Sequence, residues 1–256
     1  MRVVRIFFSP TGGTKRVVDM LTESLDGQRT DVDLADPGHP AEQIRPEDLA
    51  IIAMPSYGGR APVLAMERFS ALQGHGAACL LVAVYGNRDY EDTLVELEDA
   101  AVRQGFRVIG ALAAVAEHSV VHCFASGRPD EEDRAVLREA GLRFAEAARE
   151  NFPCASIPGH RPYTKPMSLS LVPKKTAACI ACGRCRAACP AGAIDEHFVA
   201  DKRKCISCMR CVGLCPTSAR KPNAMMVKLS ELALKKDCSI RKPVQVFLNG
   251  ASSTQE

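Results

Sequence analysis

Eight of the twelve cysteines fall in two short runs in the last third of the chain. Residues 179–190 read C-I-A-C-G-R-C-R-A-A-C-P, and residues 205–216 read C-I-S-C-M-R-C-V-G-L-C-P. Three closely spaced thiolates followed by a fourth and a proline are the ligand pattern of paired [4Fe–4S] clusters. Because the N-terminus shows no export signal, metal ligation explains these cysteines better than disulfide bonds do.

The fourth cysteine of each run lies one turn beyond the other three, so we expect it to reach the partner cluster. The predicted ligands therefore form two crossed sets, Cys179, Cys182, Cys185 and Cys215 for one cluster and Cys205, Cys208, Cys211 and Cys189 for the other. A pair of structural zinc sites is the alternative. Zinc motifs usually supply two C-x-x-C pairs rather than a triplet followed by C-P, which favours iron–sulfur clusters.

A second motif, S-P-T-G-G-T at residues 9–14, follows a predicted strand and opens a predicted helix. Free backbone amides, hydroxyl groups and the helix N-terminus would together bind a phosphate monoester. The segment lacks both the G-K-[ST] of a nucleoside-triphosphate loop and the G-x-G-x-x-G of a dinucleotide site. An ordinary helix cap is the alternative. The predicted phosphate contacts are Ser9, Thr11, Gly12, Gly13 and Thr14.

The elements around these motifs alternate between strands and helices. Apolar runs predict strands at 2–8, 31–34, 50–54, 78–84 and 108–116. Helical periodicity fills the gaps at 14–25, 62–73, 90–104 and 130–149. We therefore predict an α/β, doubly wound, five-stranded parallel sheet of flavodoxin-like order 2-1-3-4-5.

The remainder of the chain changes character after residue 150. We predict a flavodoxin-like domain over 1–150, a proline-rich linker over 151–176, and a small α+β ferredoxin-like domain over 177–222. Residues 223–256 are predicted to form a C-terminal helix and a strand-like arm that docks on another domain.

Three further segments complete a recognisable order of motifs. These are P-S-Y-G-G-R at 55–60, Y-G-N-R-D-Y-E-D at 85–92 and A-E-H-S at 116–119. With the phosphate loop and the paired cysteine runs, they make the chain resemble the flavodoxin–ferredoxin fusion family of anaerobe-type electron carriers. The resemblance implies FMN as the flavin beside two [4Fe–4S] clusters.

The two tyrosine-containing segments follow predicted strands at their carboxyl ends, where a flavodoxin-like sheet binds FMN. The resemblance implies contacts with the flavin from Ser56, Tyr57, Gly58, Gly59, Tyr85, Gly86, Asn87 and Tyr90. Since the chain has no Trp, Tyr57 and Tyr85 are the candidates to flank the ring. The alternative is a pair of glycine turns with surface tyrosines. Arg60 and Arg88 would add positive charge that favours full reduction of the flavin.

Charge is divided unevenly along the chain. Residues 1–150 hold 16 Lys/Arg and 24 Asp/Glu, whereas residues 173–242 hold 15 Lys/Arg and 5 Asp/Glu. The basic part would attract the acidic domain or an acidic redox partner. We assign the basic run 202–204 to a solvated face beside the anionic clusters rather than to nucleic-acid binding. No stretch approaches the roughly 18–20 apolar residues of a membrane span.

These features predict a cytoplasmic electron-transfer protein that carries electrons between a reductase or dehydrogenase and an acceptor. FMN exchanges one or two electrons and each cluster exchanges one, so the chain would convert between the two kinds of chemistry. One alternative is an FMN-dependent reductase that acts on a small molecule with electrons from the clusters. Another is a non-redox zinc or interaction protein.

Overall fold

Five parallel strands form the centre of the computed structural model, which describes residues 2–38, 42–150, 152, 154, 156–166 and 170–249. The strands are β1 (Arg2–Phe7), β2 (Gln28–Asp33), β3 (Leu49–Pro55), β4 (Ala78–Tyr85) and β5 (Arg107–Val115). Their order is β2-β1-β3-β4-β5, and every pair among them is parallel. The predicted flavodoxin-like order is confirmed.

Helices cover both faces of this sheet. They are α1 (Gly13–Thr22), α2 (Val63–Phe69), α3 (Thr93–Arg103) and α4 (Glu131–Glu150). Side chains of α2 and α3 pack in one buried cluster, and side chains of α1 and α4 pack in the cluster on the other face. At Gly141 a Cβ atom would lie 2.0 Å from the Leu21 carbonyl oxygen, so glycine permits the close approach of α4 to α1.

The C-terminal part of the chain returns to the sheet. Helix α7 (Ala224–Cys238) precedes β8 (Gln245–Leu248), which pairs antiparallel with β5 as a sixth strand. A Cβ atom on Gly110 would lie 2.2 Å from Leu248 Cδ2, so the absence of a side chain there admits the arm. Strand β8, which lies within the predicted docking arm, thus covers one edge of the sheet. The end of that predicted segment, 250–256, lies outside the described residues.

The carboxylate of Asp92 is one of the groups that fasten the segment 156–166, part of the predicted linker, to the sheet domain. Asp92, fully buried at the start of α3, accepts hydrogen bonds from the amides of His160 (2.8 Å) and Thr164 (2.7 Å) and from the Thr164 hydroxyl (2.7 Å). Burial alone would raise the pKa of Asp92, but these hydrogen bonds outweigh it and lower the pKa to about 2. The carboxylate is therefore charged at neutral pH and holds this part of the linker in place.

The cysteine region is small and internally repeated. Two-residue strands β6 (Lys174–Lys175) and β7 (Arg220–Lys221) pair antiparallel, and short helices α5 (Arg184–Ala187) and α6 (Arg210–Gly213) lie between them in sequence. The exact domain boundaries stay a prediction.

Among the residues described here, no helix combines the length and apolar character needed to cross a membrane.

Candidate functional site

The eight cysteines of the two runs line two separate cavities. Cavity I is lined by Cys179, Cys182, Cys185 and Cys215. Cavity II is lined by Cys189, Cys205, Cys208 and Cys211. The side chains are thus grouped in the crossed sets that the spacing predicts, and ligation by these residues stays a prediction.

The donor set of each cavity suits a multi-atom cluster. All eight cysteines are free, and each cavity is lined by four of them. A single zinc ion would need four sulfur atoms at about 2.3 Å from one point. Within the described parts of the chain, no three His, Cys, Asp or Glu side chains converge closely enough for one ion. Four thiols that share a cavity without converging on one point fit a cage of iron and sulfide.

The last cysteine of each run also receives a backbone hydrogen bond. The amide of Ala193 donates to Cys189 Sγ at 3.3 Å, and the amide of Ala219 donates to Cys215 Sγ at 3.2 Å. Each donor lies four residues after its cysteine, so the repeat in sequence is a repeat in geometry. Hydrogen bonds to sulfur stabilise thiolates and tune the clusters that they hold.

The two cavities differ in burial. Cys208 of cavity II is buried, and burial raises its pKa to about 11 and that of Cys211 to about 12. Such thiols are protonated at neutral pH unless a bound metal centre stabilises the thiolate. In cavity I, Cys182 is exposed, and its neighbour Ile180 is 63% exposed. Cavity II therefore has one buried cysteine, whereas cavity I has one exposed cysteine.

Three contacts join the loops of cavity II to the sheet domain. Arg68 on α2 donates to the Pro190 carbonyl at 2.6 Å and to the Leu34 carbonyl at 2.5 Å. Arg210 on α6 lies 3.8 Å from the carboxylate of Asp33, the last residue of β2. Ile206 packs against the buried cluster on the α2 and α3 face. The loops of cavity II are therefore held at the carboxyl edge of the sheet.

Tyr57 connects this interface to the predicted flavin contacts. It follows β3 in the chain. Burial raises the pKa of Tyr57 well above its usual value, and the charge of an ionised Cys208 would add to that effect. A residue expected to flank the flavin thus lies within electrostatic range of a residue expected to hold a cluster.

The predicted phosphate loop has an open geometry at Gly12. Gly12 precedes α1 with φ of +92°, a conformation that favours glycine, and no side chain caps it. The Ser9 hydroxyl accepts a hydrogen bond from the Lys15 amide at 2.9 Å, which fixes the loop from the side. Thr11 and Gly12 are exposed, whereas Thr14 is buried. At Gly13 a Cβ atom would lie 3.2 Å from Ala116 Cβ, so the loop adjoins the end of β5.

The segments 55–60 and 85–92 both lie at the carboxyl edge, but several of their side chains make other contacts. The Tyr85 ring is buried and packs against the Tyr90 ring at 5.4 Å between centroids. The Ser56 hydroxyl accepts a hydrogen bond from the Thr93 hydroxyl at 2.9 Å. Tyr90 in turn donates from its hydroxyl to Gln245 Oε1 at 2.7 Å. Flavin contacts from these residues stay predictions.

Close packing and hydrogen bonds explain the residue types at three further positions in the segments 55–60 and 85–92. A Cβ atom on Gly86 would lie 2.5 Å from His118 Cδ2, and one on Gly59 would lie 1.8 Å from Glu91 Oε2. The Asn87 amide nitrogen donates to the carbonyls of Cys238 (2.9 Å) and Ile240 (2.8 Å). The Asn87 side chain therefore holds the C-terminal segment, which leaves its backbone for the predicted flavin contact.

Carboxylates compensate both arginines of these segments. Arg60 makes two hydrogen bonds to Glu96, at 2.8 and 2.7 Å, and Arg88 donates to Glu91 at 2.6 Å. The free positive charge expected beside the flavin is therefore reduced by a neighbouring acid in each case. His118 is partly buried beside Gly86, and burial lowers its pKa, which favours the neutral ring.

The sequence did not identify the interface residues Arg68, Arg210 and Asp33 or the clamp at Asp92. Arg210 has an equivalent in the first cysteine run, Arg184, and the two look alike in sequence. Their surroundings differ, because Arg184 is exposed whereas Arg210 is covered by the sheet domain. Contacts between distant segments decide this difference, and no local pattern encodes them.

Comparison with known proteins supports the assignment of the cysteine region. Residues 172–195 and 198–221 each match the 4Fe-4S binding domain family. The chain therefore contains a 4Fe–4S binding region with two repeats, and this gives it a role in redox chemistry. No curated protein matches the chain.

Solved structures resemble the sheet domain at low sequence identity. A WrbA-like flavodoxin from Agrobacterium tumefaciens is 18% identical over 58% of this chain and 98% of its own, with a TM-score of 0.44. A flavodoxin from Streptococcus pneumonia TIGR4 is 19% identical over 57% of this chain and 99% of its own, with a TM-score of 0.40. The Flv1 flavodiiron core from Synechocystis sp. PCC6803 is 17% identical over 59% of this chain, which spans 36% of that protein, with a TM-score of 0.44. The flavodoxin-like fold itself rests on the strand order.

Paired cysteine variants test the crossed sets. In Cys189→Ala/Cys205→Ala both changes fall in cavity II, so we expect the protein to keep half of its iron. In Cys189→Ala/Cys179→Ala each cavity loses one ligand, so we expect most of the iron to be lost. Iron and sulfide quantitation after anaerobic purification distinguishes the two variants. If the first variant lost as much iron as the second, the crossed sets would be wrong.

Proposed function

We propose that the chain is an electron carrier in which FMN, at the carboxyl edge of the sheet, exchanges electrons with two [4Fe–4S] clusters. The observation that carries the proposal is the attachment of the cavity II loops to this edge through Arg68 and Arg210. Open α/β sheets bind ligands there, at the point where the strand order reverses between β1 and β3. Both predicted cofactor sites therefore meet at one edge.

The cofactors supply the electron chemistry and the chain supplies their positions. FMN, when bound, accepts or releases electrons singly or in pairs, whereas a cluster exchanges one. The loop at residues 9–14 would hold the phosphate through its amides and hydroxyls. The thiols of cavities I and II would hold the clusters, and the amides of Ala193 and Ala219 would support the sulfur atoms.

Burial favours one order of electron transfer. Cavity II adjoins Tyr57 and the sheet domain, whereas cavity I has the exposed Cys182 at its rim. We therefore place the cluster of cavity II between the flavin and the cluster of cavity I. Electrons would pass between the flavin and the outside through cavity II and then cavity I.

Removing one cluster at a time tests this order. In Cys205→Ala we expect oxidation of the reduced flavin by the remaining cluster to slow at least tenfold, since the intermediate cluster is lost. In Cys179→Ala, which removes the outer cluster, the first transfer from the flavin should keep its normal rate. Stopped-flow absorbance with freeze-quench EPR measures both rates. Equal slowing in the two variants, or none in either, would contradict the order.

FMN differs from riboflavin by its phosphate, so a charge change in the predicted phosphate loop tests which flavin the chain binds. An aspartate in place of the exposed Thr11 would repel a phosphate monoester but leave an uncharged flavin unaffected. We expect Thr11→Asp to weaken FMN binding at least tenfold, with about 1.4 kcal/mol lost. Riboflavin binding should stay unchanged, and Thr11→Asn serves as the uncharged control. Titration of flavin fluorescence measures the affinities. If FMN and riboflavin were weakened alike, the loop would not bind the phosphate.

The surface around cavity I has the composition of a docking site for an acidic redox protein. Ile180 is 63% exposed and Leu214 is 43% exposed, beside the exposed Arg184 and Arg186 on α5. Apolar contact with a basic rim suits a transient partner of opposite charge, because complementary charge raises the association rate. We assign the partner to the class of acidic one-electron or flavin carriers.

Charge reversal tests this partner class. We expect Arg184→Glu/Arg186→Glu to slow electron transfer to an acidic flavodoxin by at least tenfold at low salt and to accelerate transfer to basic cytochrome c. Arg103→Glu/Arg149→Glu, an equal charge change on exposed residues of the sheet domain, is the control. Stopped-flow rates at several salt concentrations provide the measurement. If both double variants had the same effect, docking would not occur at cavity I.

A further inference from the structure

Arg220 is an unusual buried cation in the cysteine region. It begins β7 and is 3% exposed. Its Nη1 donates to the Pro173 carbonyl at 3.1 Å. Its Nε and Nη2 are buried and have no hydrogen-bond partner among the described residues. Burial of a charge with unsatisfied donors is costly unless an anion compensates it.

The surroundings of Arg220 indicate where that anion lies. The side chain lines cavity I together with Cys179, Cys182, Cys185 and Cys215. The guanidinium therefore adjoins cavity I, and within the described structure no carboxylate pairs with it.

The internal repeat shows that this cation is not required by the fold. Arg220 lies five residues after Cys215, and the equivalent residue five after Cys189 is Ile194. Ile194 is 6% exposed and lines cavity II, as Arg220 lines cavity I. One half of the repeat thus fills this position with an apolar side chain, and the other half fills it with a charge.

We propose that Arg220 is the internal counter-cation of the cavity I cluster, with its free Nε and Nη2 groups donating hydrogen bonds to sulfur atoms in that cavity. Positive charge and hydrogen bonds to sulfur both favour the reduced, more negative cluster. Arg220 therefore raises the reduction potentials of the clusters, most strongly at cavity I, and draws electrons toward the outer cluster. The role in directing electrons rests on the proposed function, whereas the effect on the potentials does not.

Replacing Arg220 by isoleucine, the residue at the equivalent position of the first repeat, tests the proposal. We expect Arg220→Ile to make reduction of the cavity I cluster at least tenfold less favourable, a fall of about 59 mV for one electron. The cavity II cluster should shift in the same direction by less. The control is Lys221→Ile, which removes an equal charge from the exposed neighbour on the same strand, where solvent screens it. EPR-monitored redox titration of the full, anaerobically reconstituted chain measures both potentials, and it needs no flavin.

A second variant separates the effect of charge from the effect of hydrogen bonding. It also provides a test if Arg220→Ile fails to retain its clusters. Arg220→Lys keeps the charge but lacks the planar pair of donors. The reduction potentials of the clusters in this variant should therefore lie between those in the wild type and those in Arg220→Ile. If Arg220→Ile retained its iron and shifted no more than Lys221→Ile, the proposal would be overturned. If Arg220→Ile lost its iron, the lysine variant would decide, with unchanged potentials in that variant refuting the hydrogen bonds. Failure of flavin-to-cluster transfer with these shifts intact would refute the proposed function alone.

Discussion

The attachment of the cavity II loops to the carboxyl edge of the sheet is the constraint on which the electron path depends. Electron transfer between cofactors requires a fixed, short separation, and two domains on a free linker would not provide one. Here Arg68 and Arg210 bind the loops from opposite sides of the interface, to a backbone carbonyl and to the Asp33 carboxylate.

Positive charge serves different purposes in different places of the cysteine region. Arg210 faces the sheet domain, Arg184 faces solvent, and the buried Arg220 lines cavity I. A count of charged residues in the sequence shows only that this region has more basic than acidic residues. The structure divides that excess into an interface contact, an exposed rim and an internal charge, and burial decides how strongly each acts.

The sequence predicted the parts of the protein that have a local signal. Apolar runs predicted the central strands, and cysteine spacing predicted which thiols share a cavity. The orientation of Tyr85 was not accessible, because β4 is buried on both faces and its apolar residues show no alternation. Cys79, Leu81 and Ala83 share one face with Tyr85, while Leu80, Val82 and Val84 face the other side.

Contacts between distant segments had no such signal. Asp92 looks like any acid before a helix, yet it holds residues that lie about seventy positions further along the chain. Arg220 could have been singled out by aligning the two halves, since it replaces Ile194. Its burial, which gives that difference physical meaning, required the structure.

The return of the C-terminal segment makes the two regions depend on each other. Strand β8 completes the sheet beside β5, and Tyr90 donates a hydrogen bond to Gln245 within that strand. Asn87, in a loop where flavin contact is predicted, holds the carbonyls of Cys238 and Ile240. The loop at 85–92 therefore makes its contacts with chain from beyond the cysteine region. A cut between the flavodoxin-like and cysteine regions would remove contacts from both, so the two regions are joined by structure as well as by sequence.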